Sequence, residues 1–137
     1  MTDPNELADR YVAMWTEADP ERRRTAIAES WTEDAVHILE PPQEAREAAA
    51  ALDINATFEA RGHRELEARM ANAYDQFLAP GEFTFRRRDN VKRVGDAIKF
   101  NWEMVPTAGG DAVGVGLEFL ILAPDGRFRL DYQFIEL

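Results

Sequence analysis

The sequence contains no cysteine, and this absence excludes several kinds of chemistry at once. Disulfides, thiolate nucleophiles and zinc–thiolate sites are ruled out, and the composition is consistent with a reducing compartment. Long hydrophobic runs are also missing, since no apolar stretch approaches the roughly 18 residues that a membrane-spanning helix needs. The polar start Met1-Thr2-Asp3-Pro4 is not typical of a secretory signal peptide. We therefore expect a cytoplasmic protein that does not bind membranes.

Positive charge is scarce as well, with 16 Lys and Arg residues against 26 Asp and Glu residues and a net charge of −10. Nucleic acid and anionic membranes should repel such a chain. Its two arginine runs, residues 22–24 and 86–88, lie in a predicted helix and on alternating sides of a predicted strand, so neither forms a one-faced basic surface. There is no His-x-x-x-His pair and no calcium-loop spacing. We predict no nucleic-acid partner, no metal and no other cofactor.

What is present suits one packed domain that spans residues 1–137, because hydrophobic residues make up 45% of the chain. Asp3 and Pro4 form a helix start, and the apolar residues that follow recur at helical spacing. Asp19-Pro20 repeats this start and predicts a second helix to about Trp31. A short strand at 36–39, a helix at 43–52, an extended piece around Thr57-Phe58 and a helix at 63–78 follow.

After Gly81 the apolar residues alternate with polar ones, which indicates strands. Four strands are predicted in succession, at 83–85, 98–104, 113–121 and 128–134. Sequential strands with short connections pair antiparallel. The chain is therefore predicted to have an α+β fold, with helices in the first half packed on one face of a curled sheet.

The last hairpin permits a prediction of register. Asp125-Gly126 is a preferred two-residue hairpin turn. Such a turn pairs Leu122 with Arg129, Leu120 with Asp131, and Glu118 with Gln133. Directly paired side chains share a face, so Glu118 and Asp131 become diagonal neighbours roughly 7–8 Å apart at Cα. In a dry site their carboxyl pKa values would rise and one could act as an acid, whereas on a wet face they would do nothing.

Alternation alone favours the wet face, because the opposite face of this hairpin is the more apolar. That face carries Phe119, Ile121, Leu130 and Tyr132. It would be expected to meet the helices, and the polar face would then meet solvent or a partner subunit.

Segments at both ends of the chain resemble the nuclear-transport-factor-2-like (NTF2-like) superfamily, which includes polyketide cyclases, ketosteroid isomerases and scytalone dehydratases. The resemblance is carried by Arg10-Tyr11-Val12-Ala13-Met14-Trp15, Asp19-Pro20-Glu21-Arg22, Trp31-Thr32-Glu33-Asp34-Ala35-Val36, Gly116-Leu117-Glu118-Phe119, Asp125-Gly126-Arg127-Phe128 and Asp131-Tyr132-Gln133-Phe134. It implies a cone, in which a curved antiparallel or mixed sheet wraps about three helices around a deep pocket, commonly in a homodimer. The Glu118 and Asp131 face would then point inward.

The resemblance also implies roles for individual residues. Glu118 falls where isomerase-like members place a protonated aspartic acid that donates to a developing oxyanion. Asp131 falls at a pocket-lining position where cyclase-like members can carry a catalytic polar residue. Leu39 stands in the place of the isomerases' general-base aspartate. His37 shares a strand face with Leu39 and is a candidate base, because histidine titrates near neutral pH.

Amphipathic aromatic side chains suit the wall of a cavity that holds a ligand by shape and one hydrogen bond. We predict that Trp102, Tyr74 and Trp15 line the pocket together with Gln133 and Leu39. Three functions remain open: acid–base catalysis on an apolar or polyketide-like small molecule, binding of a small apolar molecule without catalysis, and an interface function of the sheet's outer face.

Overall fold

Two helices open the chain, and each begins at the Asp-Pro pair that predicted it. The computed structural model describes residues 2–53 and 58–136. α1 (Pro4–Thr16) and α2 (Pro20–Ser30) have aspartate caps whose side chains accept a backbone N–H two residues further on. α2 ends one residue earlier than predicted, because Trp31 is already extended and begins the first strand.

The remaining elements follow the predicted order with three differences. They are β1 (Trp31–Leu39), α3 (Gln43–Ala51), β2 (Phe58–Arg61), α4 (Gly62–Ala73), a π-helical turn (Tyr74–Leu78), β3 (Phe83–Arg87), β4 (Lys92–Val94), β5 (Ala97–Pro106), β6 (Gly114–Leu122) and β7 (Phe128–Ile135). β1 is longer than predicted, β4 was not predicted, and the long helix ends in a π-helical turn. The predicted extended piece is β2, but Thr57 lies outside the described residues.

The strands form one mixed sheet in the order β2-β1-β7-β6-β5-β3, with β4 paired to β5. All pairs are antiparallel except β1 with β7, which is parallel. Helices α1, α2 and α4 pack on the sheet and on one another. The α+β fold with about three packed helices is confirmed, and the parallel pair sets His37 directly beside Asp131.

The last hairpin has the predicted register, but its turn differs from the predicted one. The turn has three residues, because Gly126 N–H donates to the Ala123 carbonyl and Ala123 N–H to the Arg127 carbonyl. Gly126 has the positive φ of +90° that such a turn requires. A three-residue loop would exchange the two faces, but a bulge at Arg129 adds one more residue and restores them. Glu118 pairs with Gln133 as predicted, whereas Leu122 pairs with Phe128 rather than Arg129, and Arg129 is exposed.

The polar face of this hairpin points into the molecule, so the expectation from alternation was wrong. Glu118 and Asp131 are both 0% exposed, whereas Phe119 and Tyr132 on the other face are only half-buried. The core between this inner face and the helices is built from Trp31, Phe100, Phe128, Leu66, Met70 and their neighbours. Among the described residues, none of the helices combines the length and the apolar character needed to cross a membrane.

Candidate functional site

A cavity of about 700 Å³ lies between α1 and the inner face of the sheet. Its walls are mostly apolar and include Val12, Leu39, Phe77, Phe85 and Met104. Tyr11, Trp15, Trp102, Glu118 and Gln133 contribute the polar atoms of its inner part. Residues of the β1–α3 connection and α3, among them Pro41, Pro42 and Arg46, form its rim. A volume of this size suits a small organic molecule.

The inner end of the cavity is made by three adjacent strands. Glu118 on β6 is paired with Gln133 on β7, and Gln133 is paired with Leu39 on β1. Asp131 and His37 are paired two residues earlier along β7 and β1. All five side chains therefore point to the same side of the sheet.

The carboxyl groups of Glu118 and Asp131 form the chemically unusual part of this site. Single ligand atoms of these two residues and of His37 lie within 4.8 Å of one another. Tyr11 Oη donates to Asp131 Oδ2 at 2.5 Å, and Trp102 Nε1 donates to Glu118 Oε1 at 2.9 Å. Glu118 Oε2 and Asp131 Oδ1 are buried without a partner among the described residues. One unpaired oxygen on each carboxyl is the arrangement expected where a proton, a water molecule or a ligand belongs.

Burial raises the pKa of Glu118 well above its ordinary value, and the charge of Asp131 raises it further. The hydrogen bond from Trp102 opposes this shift without reversing it. Burial, followed by the charges of Asp131 and Glu118, also raises the pKa of Tyr11 well above its ordinary value. Burial and the neighbouring Asp131 therefore favour the neutral carboxylic acid form of Glu118 in the cavity wall, and Tyr11 is a neutral donor.

His37 is held behind the cavity and is not among the residues that line it. Arg69 Nη1 donates to His37 Nδ1 at 3.0 Å, and His37 Nε2 lies 2.9 Å from Gln133 Oε1 and 3.5 Å from Asp131 Oδ2. Burial lowers the pKa of His37, the Arg69 charge lowers it too, and Asp131 and Gln133 act in the opposite direction. Because arginine can only donate, the neutral ring carries its proton on Nε2. That nitrogen cannot accept a proton from a ligand, so these contacts argue against the predicted role of His37 as a base in the cavity.

The spacing of His37, Glu118 and Asp131 would permit a metal ion. A metal there would need the lone pair of His37 Nε2, the nitrogen nearest Asp131. Since Arg69 occupies Nδ1 as a donor, the proton sits on Nε2 and no lone pair is available. This donor set does not fit a metal.

The predicted lining residues Trp15, Trp102, Gln133 and Leu39 all line the cavity, but Tyr74 does not. The Tyr74 ring lies 5.6 Å from the guanidinium of Arg23, at the start of the π-helical turn. Ala73 and Phe77, which share the predicted apolar face of this helix, lie in the cavity wall.

Sequence reasoning missed two polar residues of the site. Tyr11 belongs to the predicted apolar face of the first helix and to the aromatic side chains that could form a pocket wall, but the bond of its hydroxyl to Asp131, 120 positions away, was not predicted. Arg69 was not singled out at all, although it lies one residue before Met70 on the helix that packs on β1. Only the fixed three-dimensional arrangement of α1 and α4 on the sheet brings these groups together.

Trp102 reaches Glu118 across a glycine, which gives a testable prediction. Trp102 and Gly116 are direct partners on β5 and β6, and a Cβ atom added at Gly116 would overlap the Trp102 indole. We expect Gly116→Ala to displace the indole from Glu118 and to lower the free energy of unfolding by about 1–3 kcal/mol, as overpacking does. Urea denaturation and tryptophan fluorescence measure both effects.

Gly114→Ala is the matched control, because a Cβ at Gly114 would meet only the Met104 Cβ at 3.7 Å, an ordinary contact. A Gly116→Ala protein as stable as Gly114→Ala, with unchanged fluorescence, would contradict the close approach of Trp102 and Gly116.

No protein-family model and no curated protein matches the sequence. Solved structures do match its fold. A protein provisionally named an isomerase of the SnoaL-like family, from Agrobacterium tumefaciens, is 23% identical with a TM-score of 0.79, and the match covers 100% of both chains. An NTF2-like protein of unknown function from Mesorhizobium loti is 14% identical with a TM-score of 0.63, and the match covers 98% of this chain and 91% of that one.

A SnoaL-like protein of unknown function from Burkholderia thailandensis is 14% identical with a TM-score of 0.61, covering 100% of this chain and 99% of that one. At these identities the likeness concerns the fold, and a shared fold does not establish a shared activity. The element order, the mixed sheet and these similarities agree with one another. The chain has the nuclear-transport-factor-2-like fold.

Proposed function

We propose that this chain binds a small, mostly apolar molecule and carries out acid–base chemistry on it, in the manner of the cyclase-like and isomerase-like proteins of this fold. The observation that carries the proposal is the inner end of the cavity. There a fully buried carboxylic acid, Glu118, faces an apolar space of about 700 Å³ with a second buried carboxyl, Asp131, behind it. Buried acids with strongly raised pKa values in a cleft are typical of catalytic sites.

The pair is suited to hold one proton. Two carboxylates this close repel each other too strongly for both to ionise in a dry site. Tyr11 donates to Asp131 Oδ2, and each carboxyl has one oxygen without a partner among the described residues. Glu118 lines the cavity and Asp131 does not, so we place the shared proton on Glu118, next to the space for a ligand.

A single residue can complete the proton transfers of a keto–enol interconversion. Glu118 gives its proton to the carbonyl oxygen of the ligand, and the carboxylate so formed accepts the proton that leaves the neighbouring carbon. The residue returns to its starting state, so protons balance without a further reactant. This route needs no base at Leu39, whose side chain lines the cavity but cannot accept a proton.

The experiment follows hydrogen exchange in a simple ketone. The protein is incubated with 2-tetralone in deuterium oxide, and deuterium entering at the carbons beside the carbonyl is measured by NMR. Exchange faster than in buffer is expected. Binding of 2-tetralone with exchange only at the buffer rate would favour the alternative, a carrier of the same fold that binds without catalysis.

We also propose that the chain forms a homodimer through the outer face of the sheet. Four half-buried apolar side chains without a helix over them lie there, Phe119, Ile121, Leu130 and Tyr132. Burial of such a patch drives association. Light scattering at micromolar concentration is expected to give about twice the 15.6 kDa of one chain, and Tyr132→Glu to give a monomer. Val94→Glu, at an 82% exposed position on β4, is the control. A monomeric wild-type protein would contradict the proposal.

A further inference from the structure

The side-chain amide of Gln133 has its orientation set by the residues behind it. Its oxygen, Oε1, lies 2.9 Å from His37 Nε2. At this distance one atom must donate and the other accept, and the assignment depends on which histidine nitrogen carries the proton.

Arg69 decides that assignment. Its Nη1 lies 3.0 Å from His37 Nδ1 and also donates to the backbone carbonyls of His37 and Phe58, both at 3.2 Å. Arginine has five N–H donors and no acceptor, so His37 Nδ1 must be the acceptor. A neutral imidazole has one N–H group, which is then on Nε2 and donates to Gln133 Oε1. The Trp15 ring, 5.3 Å from the imidazole between centroids, packs against it.

The consequence lies on the cavity side of Gln133. With its oxygen held by His37, the amide turns its NH₂ group away from the histidine, and Gln133 lines the cavity. Glu118 is its direct cross-strand partner, and such partners have Cβ atoms about 4.5–5.5 Å apart. Two neighbouring groups, an amide N–H and a carboxylic acid O–H, are thus available to one ligand atom.

We propose that Gln133 is a specificity-determining residue that selects ligands with a carbonyl or enol oxygen at the inner end of the cavity, and that Arg69 acts through His37 as the positioning residue that keeps the Gln133 amide a donor. The inference rests on the proposed function of the cavity as a binding site, and it names the chemical class of the ligand. A pair of donors converging on one oxygen also suits the negative charge that develops there on enolisation.

The test compares a ketone with its hydrocarbon analogue. Dissociation constants of 2-tetralone and tetralin are measured by calorimetry, and the ratio of the two affinities is followed across variants. In Gln133→Leu the preference for the ketone is expected to fall roughly 3–10-fold, the effect of one uncharged hydrogen bond. Gln76→Leu, the same change at an exposed position that does not line the cavity, is expected to leave the ratio unchanged.

The positioning role of Arg69 is tested with the same affinity ratio and with the NMR signals of the His37 ring nitrogens. Nitrogen-15 NMR of the wild-type protein is expected to find the His37 proton on Nε2. Arg69→Met should reduce the preference for the ketone, whereas Arg69→Lys, which keeps a donor at this position, should retain it. General damage to the fold would weaken the binding of 2-tetralone and tetralin together and leave the ratio of their affinities unchanged.

Three results would overturn the inference: a His37 proton on Nδ1, an unchanged ratio in Gln133→Leu or Arg69→Met, or no binding of either probe to the wild-type protein. None of these measurements needs turnover. If the affinity ratio changes as expected in these variants but the protein catalyses no hydrogen exchange, the specificity of Gln133 is upheld. Only the proposal of catalysis is then contradicted.

Discussion

Replacing Glu118 by glutamine is expected to lower the protein-catalysed exchange of 2-tetralone hydrogens by about 10²–10⁴-fold, the usual contribution of a general acid–base residue. Glutamine has almost the shape of glutamic acid, and its oxygen can keep the hydrogen bond from Trp102 Nε1. What it loses is the proton that can be given to the carbonyl oxygen and recovered from the adjacent carbon. Binding of the ketone should change far less than exchange, because the amide can still donate.

NMR-monitored exchange under saturating ketone measures this effect. Glu103→Gln is the control, because Glu103 lies on β5 beside Arg86 and Arg88 and does not line the cavity. Exchange by Glu118→Gln within a fewfold of the wild-type rate would assign the chemistry to another group.

The same substitution is expected to make the folded protein more stable at neutral pH. Burial and the nearby Asp131 charge raise the pKa of Glu118 in the folded state above that in the unfolded chain. Between these two pKa values the folded state holds a proton that the unfolded state has released, so stability falls as the pH rises. Glutamine has no such loss. Its advantage over the wild type should grow by about 1.4 kcal/mol per pH unit above the ordinary glutamate pKa of 4.5, until the folded pKa is passed.

Urea denaturation between pH 5 and pH 8 measures this difference. The pKa of His37 is lowered by burial, so His37 reduces stability as the pH falls below its unfolded value of 6.5, and this opposite trend is present in both proteins. Glu103 has a pKa lowered by its hydrogen bond with Arg86, and its contribution is lost only at acidic pH. The free energy of unfolding of Glu103→Gln should therefore change with pH in parallel with that of the wild type between pH 5 and pH 8. If the free energy of unfolding of Glu118→Gln changed with pH in parallel with that of the wild type, Glu118 would be ionised in the folded protein.

Much of the fold follows from local signals in the sequence. The Asp-Pro helix starts, the change from helical to alternating spacing after Gly81 and the pairing of Glu118 with Gln133 are short-range features, and the structure contains all of them. Polarity misled the prediction of which hairpin face is buried. Two carboxyls and an amide lie on that face because Tyr11, Trp102 and His37 each form a hydrogen bond with one of them. The alternation of polar and apolar residues carries no information on such partners.

The two irregular features of the hairpin could not be predicted separately. A three-residue turn at Gly126 and a bulge at Arg129 each shift the register by one, and they cancel. The assignment of side chains to the two faces of the hairpin was therefore right for β6 as far as Ile121 and its partners on β7. It was wrong for Arg129, which lies in the bulge. The prediction that Tyr74 lines the cavity did not anticipate the contact of its ring with the Arg23 guanidinium.

The central claim is that Glu118 is a neutral carboxylic acid facing the cavity at neutral pH, and carbon-13 NMR of its side-chain carboxyl tests it most directly. Selective labelling, with Glu118→Gln to assign the signal, allows a titration from pH 4 to pH 8. The account predicts the chemical shift of a protonated carboxyl at pH 7, with no transition near the ordinary glutamate pKa of 4.5. A transition near pH 4.5, leaving a carboxylate at pH 7, would contradict it.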